Sequence, residues 1–110
     1  MPRTILTATI NAGGTLSNAV DVSLATVSFL FLPSAWTPAL LSFQASPDNV
    51  TFADLVDANT KEISINVVAG TVIKPIWIPV AIGWLKFRSG SRDAPVIQTA
   101  NRVFSIAADT

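Results

Sequence analysis

The chain has 110 residues, seven Lys+Arg against seven Asp+Glu, half of its residues hydrophobic, and no Cys, His or Tyr. That inventory excludes a disulfide framework, a zinc–thiolate site and a thiol nucleophile, and removes the side chain most often used as a general base. The basic residues Arg3, Lys61, Lys74, Lys86, Arg88, Arg92 and Arg102 are scattered and the net charge is zero, so there is no electrostatic footprint for nucleic acid.

The length fits one domain, expected over residues 1–110, with residues 1–12 either a first strand or an assembly arm. Few charges on a neutral surface favour association, so a homo-oligomer or an assembly subunit is expected. The competing reading is a monomer covered by Ser, Thr and Asn. Residues 1–10 lack the apolar core of a secretory signal. Residues 22–47 are uncharged and long enough to span a bilayer, but Pro33 and Pro38 would break a helix there, so no membrane span is expected.

Period two runs through the chain in order. Residues 4–10 set Leu6, Ala8 and Ile10 against Ile5, Thr7 and Thr9, and the Gly13-Gly14 pair turns the chain. Val20, Val22 and Leu24 alternate with polar neighbours. Residues 27–32 are apolar on both faces apart from Ser28, as in a central or doubly covered strand, and Pro33 ends them. Residues 40–46 place Leu41, Phe43 and Ala45 on one face. Ser46-Pro47-Asp48-Asn49 then turns, with Asn49 suited to a left-handed backbone, and residues 50–56 return as the hairpin partner. After a turn at Asp57, Ile63, Ile65 and Val67 alternate with Glu62, Ser64 and Asn66. Residues 71–78 are extended, and Pro75 and Pro79 confine them to an edge. Residues 84–89 set Leu85 and Phe87 against Trp84, Lys86 and Arg88. Residues 102–107 close the chain with Phe104 and Ile106 inward. Short strands at this spacing, with no helical period, predict an all-β protein: a single β-sandwich, with a jelly roll of eight or so antiparallel strands as the expected form.

Two resemblances follow from these segments. Leu41 to Phe52, with its Ser46-Pro47-Asp48-Asn49 turn, and Trp84-Leu85-Lys86-Phe87-Arg88 resemble the hairpin and aromatic strand of discoidin-like jelly rolls. Asn49 stands where that family has Gly, and its ligand loops have no counterpart here. Over nearly the whole length the chain is similar to small proteins encoded among the structural genes of tailed phages and prophages. The matching segments are Leu16-Ser17-Asn18-Ala19-Val20-Asp21, Pro33-Ser34-Ala35-Trp36-Thr37-Pro38-Ala39 and Trp84-Leu85-Lys86-Phe87-Arg88-Ser89-Gly90. That resemblance implies a non-enzymatic virion component, assembled in the host cytoplasm. A capsid decoration protein on the major capsid protein is the leading case, and a head-fibre or tail accessory the alternative.

Candidate residues fall in three groups. Trp36 and the apolar edge Ile76, Trp77, Ile78 and Pro79 are candidates for an interface, against the alternative that they pack in their own domain. Trp84 shares a face with Lys86 and Arg88, which suits stacking on a sugar or anchoring a partner; a carbohydrate-binding module for surface glycans is the alternative function. Asp48, Asp54 and Asp57 cluster in sequence, but their spacing is explained by turn chemistry, and neither a metal nor another cofactor is expected. No carboxylate pair or nucleophile has a recognisable catalytic arrangement, so an enzyme is not expected.

Overall fold

A computed structural model describes residues 3–23, 26–74 and 83–109. Over them the chain forms nine strands and no helix: β1 (Arg3–Ile10), β2 (Val20–Asp21), β3 (Thr26–Phe31), β4 (Leu41–Ser46), β5 (Ala53–Asp54), β6 (Ser64–Ile65), β7 (Val72–Ile73), β8 (Trp84–Ser89) and β9 (Arg102–Asp109). They make two antiparallel sheets packed face to face. One has the order β1-β9-β3-β7; the other has the order β2-β8-β4-β5, with β6 also pairing β4. Consecutive strands thus alternate between sheets through most of the chain. With β5 and β6 counted as one interrupted edge, this is the jelly-roll order.

Period two builds both walls of the core. In β8, Leu85 and Phe87 are fully buried and meet Ala45 and Phe43 of β4 across the ladder. In β9, Phe104 and Ile106 face the same interior from the other sheet. Phe87 joins the layers: its ring lies 5.5 Å from Phe43 and 5.5 Å from Phe104, both edge to face. Such contacts add about 0.5–1.5 kcal/mol beyond area burial. In β3 a bulge between Val27 and Phe29 shifts the alternation by one residue. Val27, Leu30 and Leu32 therefore turn inward and Phe31 turns out, with Ser28, the polar residue of the run, at the bulge.

One end of the sandwich is tied by a fully buried amide. Gln98 accepts from the Thr37 backbone N–H and the Arg102 Nε–H through Oε1. Its Nε2 donates to the Thr37 carbonyl and the Ser89 hydroxyl. Its backbone N–H donates to Gly14, and its carbonyl accepts from Gly13. Three loops are fixed by this one residue. Close by, Gly90 has φ +87°, and a Cβ there would lie 2.4 Å from the Ala94 carbonyl oxygen and 2.7 Å from the Val96 nitrogen, so only Gly fits.

The second hairpin differs from its sequence reading. Residues 50–56 are expected as a full strand, but the ladder with β4 covers only Ala53 and Asp54. The reason is Asp48, whose carboxylate accepts from the backbone N–H groups of Val50 and Thr51 and from the Ser46 hydroxyl. That winds the first residues of the return into the turn and leaves Val50 exposed. Asn49 has φ 60°, as its side chain permits.

Candidate functional site

The outer face of the five-stranded sheet carries the candidate β8 residues. Because Leu85 and Phe87 point inward, Trp84, Lys86 and Arg88 point out, opposite Ser46, Gln44 and Ser42 of β4. Arg88 is nevertheless buried. Its side chain is 9% exposed, with Nη1 2.8 Å from Asp54 and Nη2 2.6 Å from Glu62. Its Nε donates to Ser42, and the Ser42 hydroxyl in turn donates to the Gly90 carbonyl. The edges beside β4 carry the two acids over the Arg88 guanidinium and cover it. All three guanidinium nitrogens are therefore bonded within the chain, which leaves Arg88 little to offer a ligand. Its role is to lock β8 to β4, β5 and the chain before β6.

Lys86 lies over the Phe52 ring, 4.2 Å from its centroid, a cation–π contact that holds the ammonium at the surface. Trp84 is half-buried between Ser46 of β4 and Asp21 of β2. The Asp21 carboxylate accepts from the Ser23 hydroxyl and backbone N–H, which hold it below the usual carboxylate range. Of the three residues grouped by the β8 alternation, Trp84 and Lys86 remain accessible.

Trp36 lies elsewhere. It is 8% exposed, packs edge-on against Phe104 at 5.4 Å, and donates its indole N–H to the Ala39 carbonyl. It packs in the core of its own chain, where Pro33 and Pro38 bracket a loop that folds the indole down over the open end of the core. Ile76, Trp77, Ile78 and Pro79 lie outside the described residues.

The three aspartates near the hairpin are engaged separately. Asp48 caps its turn, Asp57 accepts from the backbone N–H groups of Asn59 and Lys61, and Asp54 binds Arg88. Among the described residues no group of three or more acids that could hold a metal ion is found. The Asp54 carboxyl is held below its ordinary value, first by the Arg88 hydrogen bond, with the Arg88 and Arg92 charges adding to it against the opposing effect of burial. Carboxylate pairs that work as acid and base need one member raised, whereas Asp54 is lowered.

The outer face of the four-stranded sheet carries exposed apolar side chains from separate strands. Cross-strand rows run Ile5–Ala107–Phe29 and Thr7–Ser105–Phe31–Val72, with Thr9 beside Val103. Ile5, Phe31, Val72 and Val103 are exposed. The charges in these rows are Arg3 and Asp109 at one end, paired at 3.2 Å, with Arg3 also stacked over Phe29 at 5.6 Å. Ser28 donates to the same Asp109. The bulge in β3, at Ser28, is what turns Phe29 and Phe31 onto this face.

Comparison with known proteins adds nothing to this geometry: no family model, no curated protein and no solved structure matches the chain.

Proposed function

We propose that this chain is a non-enzymatic structural protein of a phage-like particle, attached to the outer shell as a decoration subunit. The observation that carries the reading is the outer face of the four-stranded sheet, where Ile5, Phe31, Val72 and Val103 stand among Thr and Ser, with the Arg3–Asp109 pair at one rim and exposed Lys74 just beyond Val72. Apolar area removed from water is worth about 25 cal/mol per Å² before the costs of association. Taking strands about 4.8 Å apart and about 3.3 Å per residue, the face spans on the order of 400 Å². That is about half the footprint of a standard protein interface on each partner. One copy then binds weakly, and the shell fills where the free concentration exceeds the dissociation constant of a single site.

The segment similarity to phage structural proteins supports the same reading, with the major capsid protein as the expected partner. The carbohydrate-binding alternative rests on Trp84 and Lys86 once Arg88 is engaged inside the chain.

The test is a paired substitution on this face. Val72→Asp with Val103→Asp changes two exposed side chains and should leave the fold intact. Co-sedimentation with purified particles should fall at least tenfold, equivalent to about 1.4 kcal/mol. Unchanged binding by the folded double variant would remove the face from the contact and the reading with it.

A further inference from the structure

Among the described residues, strand β1 pairs with β9 alone and forms one edge of the four-stranded sheet. An edge strand presents a row of unpaired backbone groups, which proteins blunt by keeping edges short, charged, bulged or interrupted by Pro. The other described edges follow that rule: β2, β5, β6 and β7 are two residues each. β1 does not. It runs eight residues in unbroken register with β9, without Pro or a bulge, and its one charge is Arg3 at the first position.

The direction of its free groups can be read from Asn18. The Thr9 N–H donates to the Asn18 side-chain oxygen, and the Asn18 N–H donates to the Thr9 carbonyl. Thr9 therefore turns its backbone groups away from β9. By alternation, so do Arg3, Ile5 and Thr7. Asn18 closes the edge at Thr9 and leaves those three residues open, with Ile5 59% exposed.

We propose that β1 takes up β1 of a second copy of this chain as an antiparallel strand, with Ile5 on the twofold axis. Asn18 argues against a register shifted toward the end of β1. Centring the axis on Thr7 would set Ile5 against the occupied Thr9, whereas centring it on Ile5 pairs Ile5 with Ile5 and Arg3 with Thr7. Each of those pairs exchanges both backbone hydrogen bonds. On the outer face the rows Ile5–Ala107–Phe29 of the two copies join into one apolar stripe. On the inner face Leu6, half-buried at the margin of the core, meets Thr4 of the second copy. The two Arg3 residues stand about four residues apart along the paired strands, or roughly 14 Å, beyond the screening length at physiological salt. Two neutral chains meet without net repulsion. The two sheets become one, and the apolar face assigned to the shell doubles in extent.

The pairing requires no particle, so its test is separate from that of the shell contact. Sedimentation of the full chain from about 1 to about 300 μM should move from monomer to twice the monomer mass, because strand addition alone buries an area at the weak end of specific interfaces. Ile5→Lys places like charges directly opposite on the axis and should keep the chain monomeric throughout. Thr7→Pro removes an outward N–H, a position an edge strand tolerates, and should do the same with circular dichroism unchanged. Val103→Lys, on the same face but away from the edge, should still dimerise. A wild-type chain that stays monomeric would overturn the proposal. So would a dimer that survives in folded Ile5→Lys, or one that Val103→Lys abolishes.

Discussion

Phe87→Ala is expected to lower stability by about 3–5 kcal/mol, the range for deleting a buried aromatic ring. Total stabilities of single domains are about 5–15 kcal/mol, so this change alone brings the chain near its unfolding threshold. The reason is position. Phe87 is fully buried and is the ring between Phe43 of its own sheet and Phe104 of the other. Truncation leaves a cavity between the layers and removes both edge-to-face contacts. Neighbouring strands hold its walls apart, because β8 is fixed to β4 by six register pairs. Phe87→Leu retains part of the volume and should lose less. Urea denaturation of both variants measures the difference; a loss below about 1 kcal/mol for Phe87→Ala would show that the sheets collapse onto the gap.

Arg88→Ala is expected to cost about 2–4 kcal/mol at pH 7. Breaking a buried ion pair costs about 3–5 kcal/mol when the remaining charge stays out of water. Here Asp54 and Glu62 keep 23% and 19% of their side-chain surface exposed, so water recovers part of the loss. The effect carries a pH signature. Asp54 titrates below its ordinary value of 3.8, and the largest cause is the Arg88 hydrogen bond. A carboxyl lowered on folding adds stability above its unfolded pKa, and that contribution is lost as pH falls through the folded pKa. Wild type should therefore lose stability below about pH 4, and Arg88→Ala should lose less over the same interval. Asp21, Asp48 and Asp109 are also lowered by hydrogen bonds that do not involve Arg88, so both proteins share their acid losses. The stability gap should narrow from pH 7 to pH 3. A constant gap would mean that Arg88 acts by packing rather than by charge.

The sandwich was legible wherever one face of a strand is buried and the other wet. β4 and β8 read cleanly because Phe43, Leu85 and Phe87 alternate with polar or amphipathic side chains. Alternation gives a face but not what covers it. Arg88 reads as a surface cation, and its burial depends on Asp54 and Glu62, which reach it from chain 34 and 26 residues away. Trp36 and Gln98 are buried by loops that cap the end of the core, where no period operates. The short β5 is a consequence of turn chemistry at Asp48, whose side chain competes with the ladder for backbone N–H groups. The apolar outer face is the least visible of all. Isolated Ile, Phe and Val in separate strands become a surface only through the strand order and the bulge in β3.

The central claim is that this chain is a multi-copy part of a particle shell. Quantitative mass spectrometry of particles purified from the strain that encodes it, scaled to the major capsid protein, tests that claim directly. Decoration predicts copies on the order of the shell's own subunit count. Absence from the particles, or only a handful of copies each, would contradict it.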